Sequence, residues 1–393
     1  MYKKYCKDLR QSTAMAAPAE VEYNFLGNTG VKVSNLGLGT MTFGSCTDGL
    51  FPAFYTNPKQ LDEGTSHKVM DRYFELGGNF IDTANIYANG QSESFIGSWM
   101  KKKQNREDVV LATKCRWPMY MNKLQNGQGL SRRHIVQSLE DSLARLQTDY
   151  VDLYQGHGWD SGTPLEETLT TFEDLVRAGK IRYYGFSNVC GWQLQKIVDT
   201  AKHLNLRPCV TLQQEYSLLC RDSEWDAYEV CRNEGVGVLP WSPLKSGMLT
   251  GKFKRGETPD SKSSRAGYMS KNATQGQIQW SPWDQVKERE DYWKLIAIME
   301  RIAKAKGRSV AQVALRWLTQ RDVVSAVIIG CTSVKQLEDN MGASGGWELS
   351  PEEMKEMSDA CPPKTPSFIN ALGAGRENKH ASMKKLYNTG TSA

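Results

Sequence analysis

The chain has no run of about eighteen consecutive apolar residues, so it offers no membrane-spanning helix, and its first twenty residues lack the apolar core of a signal peptide. It has only five histidines. Its nine cysteines, spread from Cys6 to Cys361, form no CxxC pair and no spacing with histidine that builds a zinc site, so no metal centre is expected. An odd cysteine count without a framework reads as reduced thiols, which points to the cytoplasm. A large charge of one sign is missing too. The net charge is +5, of which residues 1–20 carry +2 and residues 371–393 carry +3, leaving 21–370 neutral. That balance argues against nucleic acid as a partner. No GxGxxG follows a strand pattern, which excludes a Rossmann dinucleotide site. Asn272-Ala273-Thr274 spells a glycosylation triplet, a match that chance supplies often and that has no meaning in a cytosolic protein.

What is there is an ordinary globular composition, 39% hydrophobic and 24% charged, in 393 residues. The start through Pro18 and the end after Pro362-Pro363 have no periodic pattern and few large apolar residues. They read as flexible tails, 1–20 and 363–393, around a single domain over 21–362. Inside it, short apolar or β-branched runs alternate with longer helical patterns, the signature of repeated βα units. The runs are Leu36–Met41, Asn79–Ala84, Val109–Cys115, Tyr150–His157, Ile181–Asn188, Val210–Tyr216, Val236–Ser242 and Ala326–Gly330. Between them, Ile135, Leu139, Leu143 and Leu146 make one helical stripe for packing on a sheet. Eight βα units favour a closed (β/α)₈ barrel over an open doubly wound sheet of five or six strands. Tyr23–Leu26 and Val31–Ser34, flanking a glycine-containing turn, predict a hairpin ahead of the first strand. The segment 244–287 is too long for a simple connector, and reads as a long functional loop after the seventh strand.

A barrel of this kind builds its site at the carboxyl ends of the strands. Asp82 ends the second run and Tyr87 follows it; Lys114 ends the third, His157 the fourth, Ser187-Asn188 the fifth, Gln214 and Tyr216 the sixth, and Ser242 the seventh. Carbonyl reduction by hydride needs a proton donor, and a tyrosine with its ordinary pKa of about 10 is a poor one unless its phenolate is stabilised. A lysine ammonium ~4 Å away, in an effective dielectric near ~20, supplies about 4 kcal/mol toward that. Lys114 is therefore expected to lower the pKa of Tyr87, Asp82 to hold Lys114 charged, and His157 to orient the substrate oxygen. Each residue alone has a bland alternative: a helix cap for Asp82, a satisfied core or surface group for His157. Their conjunction at matched strand ends is what points to a site.

The order and spacing of Leu36-Gly37-Leu38-Gly39-Thr40-Met41, Phe80-Ile81-Asp82-Thr83-Ala84-Asn85-Ile86-Tyr87, Ala112-Thr113-Lys114, Asp152-Leu153-Tyr154-Gln155-Gly156-His157 and Gly185-Phe186-Ser187-Asn188 resemble the aldo-keto reductases along nearly all of 21–360. The likeness is greatest to the branch of aryl-alcohol dehydrogenase-like reductases and potassium-channel β subunits. It implies an NADPH-dependent reductase in which Tyr87 is the general acid, supported by Asp82, Lys114 and His157. It also implies that Ser187, Asn188 and Gln214 hold the nicotinamide carboxamide and that Tyr216 stacks on the ring. Trp241, Ser242, Pro243, Leu244, Lys252 and Arg265 would match the pyrophosphate side, and Gly330, Thr332, Gln336, Asp339 and Asn340 the adenosine phosphate. Where many members carry Lys or Arg, this chain has Thr332, so NAD is possible as well unless Arg265 or Lys335 grips the 2′-phosphate. Aromatic residues near the mouth, Phe43, Trp117 and Trp159 among them, predict an apolar pocket for a small carbonyl substrate. A cofactor-sensing or channel-associated subunit on the same barrel is the competing reading, and a phosphate-handling isomerase or aldolase a weaker one.

Overall fold

The computed structural model describes residues 21–48, 55–57, 59–119, 125–274 and 281–363. The expected tails 1–20 and 363–393 therefore lie outside the described residues, Pro363 apart. Eight parallel strands form one sheet: β3 (Leu36–Gly39), β4 (Phe80–Asp82), β5 (Val110–Cys115), β6 (Val151–Gly156), β7 (Ile181–Ser187), β8 (Thr211–Glu215), β9 (Gly237–Trp241) and β10 (Val327–Ile329). Each pairs with the next, and β10 pairs back onto β3. The seam between β9 and the start of β10 is closed by a parallel bridge, in which Val238 N donates to Val323 O at 2.8 Å and Ser325 N to Val238 O at 2.9 Å. The result is the (β/α)₈ barrel expected from eight βα units.

Side-chain alternation along each strand divides two cores. Phe80, Ala112, Leu153, Leu239, Ala326 and Ile328 point inward and fill the barrel. The hairpin of β1 (Tyr23–Phe25) and β2 (Lys32–Ser34) plugs its lower end with Leu26 and Val33. Gly27 makes that plug possible: at φ +55° it lies so close to the barrel that a Cβ would stand 2.1 Å from Val210 O. Residues of the other parity, such as Leu36, Ile81, Leu111, Tyr154 and Leu212, pack outward under the helices.

The helices that matter for the site are α1 (Glu63–Glu75), α2 (Gln91–Lys103), α3 (Arg132–Leu146), α4 (Leu165–Arg177), α5 (Gly191–His203) and α6 (Ala227–Glu234). Beyond β9 come α7 (Arg265–Thr274), α8 (Pro282–Val286), α9 (Glu290–Lys306), α10 (Val310–Thr319), α11 (Val334–Met341) and α12 (Pro351–Ala360). The stripe Ile135, Leu139, Leu143 and Leu146 is buried as its spacing predicts, and Ser131 caps α3 by accepting from His134 N. From α1, the buried Tyr73 hydroxyl bonds Leu36 O at 2.8 Å, Phe80 O at 3.0 Å and Ser34 Oγ at 2.8 Å, pinning β3 to β4. The segment after β9 is more ordered than a long loop. It contains a 3₁₀ turn over Lys245–Thr250, then α7 and α8, the last started by the Ser281 cap and Pro282. Among the described residues no helix is long and apolar enough to cross a membrane, and no group of three or more His, Cys, Asp or Glu is placed to hold a metal.

Candidate active site

Above the apolar plug, the next inward-facing layer is polar. It holds Asp82 at the end of β4, Lys114 on β5, Gln155 on β6 and Gln213 on β8, all buried. Lys114 Nζ donates to Asp82 Oδ1 at 2.6 Å, to Thr83 O at 2.7 Å and to Tyr87 Oη at 3.2 Å. An ammonium has three protons, and all three are used. Asp82 Oδ2 accepts from Gln213 Nε2 at 2.8 Å and from Gln155 Nε2 at 3.2 Å. The carboxylate is thus fixed from both sides, its charge matched by the one cation it touches.

Tyr87 begins a 3₁₀ turn in which Ala88 and Asn89 take left-handed φ values of 46° and 53°, returning the chain into α2. Its ring stands edge-on to His157, with centroids 6.1 Å apart. Because the phenol oxygen accepts a hydrogen bond from Lys114, its own O–H is left to point elsewhere. Burial raises the pKa of Tyr87 far above its ordinary value; the charge of Asp82 adds to this and that of Arg265 opposes it. Lys114, expected to lower it, is not among the groups that shift it, and the free site holds a protonated phenol. Burial also lowers Lys114, against the pull of Asp82 and Glu93. His157 is driven well below the usual imidazole range by burial, then by the charges of Lys114 and Arg116. It is a neutral ring at physiological pH, and its Nδ1 has no hydrogen-bond partner.

The structure brings Asp82, Tyr87, Lys114 and His157 together, with Ser187 and Asn188 at the end of β7 beside them. Ser187 Oγ is buried and without a partner. Asn188 Oδ1 accepts from Trp241 Nε1 at 3.0 Å, which holds the indole across the mouth. On β8 the sequence reading was one residue out of register. Thr211, Gln213 and Glu215 share the inward parity, whereas Leu212, Gln214 and Tyr216 face away from the barrel axis. Tyr216 is fully buried among Tyr228 and Trp317, and its hydroxyl donates to Glu224 at 2.6 Å. It is in no position to lie on a ring at the mouth. Gln213, which the sequence reading passed over, is the glutamine of β8 that faces in, and Trp241, assigned there to the phosphate side, is the aromatic held beside Asn188. Counting parity from Asp82 and Lys114 would have found both.

Phe43 is likewise fully buried and bridged to Leu61 in the outer core. Trp117 and Trp159 are half-buried at the mouth. After Ser242, Pro243 and Leu244, the turn runs through Lys245, Ser246 and Gly247 at positive φ. Lys252 reaches back over it, its Nζ 3.0 Å from where a Cβ on Gly247 would stand. Arg265 opens α7 and lies not in an open loop but at the mouth. Its Nη2 is 3.9 Å from Met41 Sδ, and its charge acts on Tyr55 and Tyr87. Gly330 has open space where a side chain would be, and Asn340 Nδ2 bonds its carbonyl at 3.4 Å. Gln336 Oε1 accepts from Thr332 N and Oγ1 at 2.8 and 2.9 Å, tying the loop to α11. Asp339 is turned toward α10, where it receives Ser309 Oγ at 3.1 Å.

A parallel barrel with a Lys–Asp pair and a tyrosine at its carboxyl end defines a class: barrel oxidoreductases that work on a carbonyl group. Comparison with known proteins narrows this. The model of the aldo/keto reductase family matches residues 35–361. The chain is 37% identical to the uncharacterized oxidoreductase YrpG of Bacillus subtilis over 349 residues, 87% of this chain and 96% of that one. It is 32% identical to the norsolorinic acid reductase of Aspergillus flavus over 89% of this chain and 84% of that one. It is also 32% identical to the aldo-keto reductase dtxS3 of Metarhizium robertsii, over 90% and 94%. The chain belongs to the aldo/keto reductase family and is an NAD(P)H-dependent oxidoreductase.

Proposed function

We propose that the protein reduces an aldehyde or ketone to the alcohol with NADPH, Tyr87 acting as the general acid. The observation that carries this is the Lys114 ammonium, whose three protons are divided between Asp82, the Thr83 carbonyl and the Tyr87 oxygen. When bound, the reduced nicotinamide supplies a hydride to the carbonyl carbon. Tyr87 gives its proton to the carbonyl oxygen as charge builds there. Its own oxygen then becomes a phenolate, and the Lys114 bond to it turns from an ordinary hydrogen bond into a charge-assisted one. The contact thus strengthens in the transition state, where it lowers the barrier. Asp82, held by Gln213 and Gln155, keeps Lys114 charged despite its burial. Neutral His157 is placed to donate a hydrogen bond to the substrate oxygen without competing as a charge.

The residues fit the cofactor. Ser187 Oγ is a buried hydroxyl without a partner, and Asn188 and Gln213 flank it, a donor–acceptor set that suits a carboxamide. Trp241 offers the face of an indole to the ring. Ser242, Pro243, Leu244 and Lys252 would hold the pyrophosphate. Gly330, Thr332, Gln336 and Asn340 would hold the adenosine end at the start of α11, where helix N–H groups favour a phosphate; Asp339 supports that loop through α10. Arg265 supports NADPH over NADH by charge. The eight described cysteines are all free thiols, which supports a cytoplasmic setting. The test is NADPH consumption with a panel of aromatic and aliphatic aldehydes and ketones. Turnover is expected; loss of no NADPH with any of them would remove the reading.

A further inference from the structure

Arg116, the first residue after β5, carries a charge whose one effect described above is to help keep His157 neutral. Its backbone has φ 151°, a region that side-chain-bearing residues seldom adopt and that tends to persist where a site demands it. The side chain is half-buried. Its Nε donates to Trp159 O at 2.9 Å, and its guanidinium lies 3.9 Å from the centre of the Trp117 ring. Among the described residues no carboxylate forms an ion pair with it. The acidic group whose charge it feels is Asp160, but that carboxylate is occupied: it accepts Leu130 N at 2.6 Å, Thr163 Oγ1 at 2.7 Å and Gly162 N at 2.9 Å. Among the described residues the two terminal nitrogens of Arg116 have no hydrogen-bond partner, and its charge reaches His157. A planar fork of this kind matches a carboxylate or phenolate better than a point charge does.

Next to it stand two indoles. Trp159, two residues beyond His157, meets Trp192 on the first turn of α5 edge to face, with centroids 5.4 Å apart. Trp192 is 60% exposed, one of three large apolar side chains left in water among the described residues. Both follow the carboxyl ends of neighbouring strands, β6 and β7, so the exposed face continues the mouth outward from His157.

We propose that this rim selects the substrate: an aryl carbonyl compound bearing an ionised acidic group, its ring against Trp159 and Trp192 and its anion on Arg116. The proposal rests on the carbonyl-reductase reading. It adds two specificity residues, Arg116 and Trp192, that composition and motif order did not reveal.

The test uses the full chain with NADPH and three aldehydes: 4-carboxybenzaldehyde, benzaldehyde and butanal. The wild type should show kcat/KM about tenfold higher for the carboxylated aldehyde than for benzaldehyde, in the range of a charge-assisted contact. Arg116→Gln should bring that ratio near one, and Arg116→Lys should keep part of it. Trp192→Ala, an exposed change that opens no core, should lower the benzaldehyde-to-butanal ratio by about threefold to tenfold. A readout without turnover is the calorimetric Kd of 4-(hydroxymethyl)benzoate, expected to be about tenfold tighter than that of benzyl alcohol and to lose this in Arg116→Gln. A wild-type ratio of one or below, or a ratio unchanged in Arg116→Gln, overturns the proposal while leaving carbonyl reduction standing. No reduction of any aldehyde overturns the reading beneath it as well.

Discussion

Gln213 Nε2 donates to Asp82 Oδ2 at 2.8 Å, across the barrel from β8 to β4. This contact joins the carboxylate that charges Lys114 to the residue set that would meet the nicotinamide. Gln213→Leu leaves Asp82 Oδ2 with Gln155 alone, and removes a donor from a buried anion, a loss of about 1–3 kcal/mol. We expect kcat/KM to fall about tenfold or more. Gln214→Leu, one residue on but facing away, should stay within about twofold of wild type. Steady-state kinetics of the two variants decide the register; equal effects would contradict it.

The pH dependence of stability follows from two histidines, His134 buried and His157 partly buried. His157 is held far below, and His134 below, the ordinary imidazole value, in both cases by burial first. In acid the unfolded chain takes up protons at these rings that the fold does not. Stability is therefore complete above the unfolded value of roughly 6.5 and falls as pH drops below it, by up to about 1.4 kcal/mol per pH unit per ring. Urea midpoints at pH 7.5 and 5.5 check this, and unchanged midpoints would contradict it.

Tyr73→Phe removes a hydroxyl that serves Ser34, Leu36 and Phe80 in a fully buried place. Leu36 O keeps the Ser34 hydroxyl, but the Phe80 N–H loses its bond to the phenol and the Phe80 carbonyl loses a donor, which should cost about 1–3 kcal/mol. Chemical denaturation should show this loss with kcat little altered, because Tyr73 pins β3 to β4 from behind the sheet and touches none of the four grouped residues.

Arg265 bears on cofactor choice. With no ion-pair partner among the described residues and its charge at the mouth, it should favour NADPH over NADH by about tenfold at low salt, and the margin should shrink as salt is raised. Arg265→Ala should narrow the gap between the two Kd values. Equal affinities in the wild type would contradict the assignment.

The barrel was legible because its strands alternate with helices that carry clear stripes, as in 131–148. The grouping of Asp82, Lys114 and His157 was legible because each stands at the end of an apolar run. What escaped was parity at the top of β8: Gln213 and Gln214 are identical side chains in adjacent positions, and only the partner, Asp82, tells which faces in. Tyr216 misled because an aromatic near a strand end suits a ring wall as well as a core, and its burial against Tyr228 and Trp317 depends on helices distant in sequence. Phe43 misled in the same way. Arg116 and Trp192 were hidden because their neighbours, Trp117 and Trp159, come together only when β5, β6 and β7 are side by side.

The most direct measurement is the pair of constants for Tyr87→Phe: kcat with a good aldehyde, and the Kd of NADPH by fluorescence titration. In the proposed mechanism the hydroxyl that Lys114 holds acts only while a proton is moving. The account therefore predicts a kcat lower by about 10²–10⁴-fold with cofactor affinity within about twofold of wild type. Wild-type turnover in the variant would show that the proton comes from elsewhere and would contradict the role given to Tyr87.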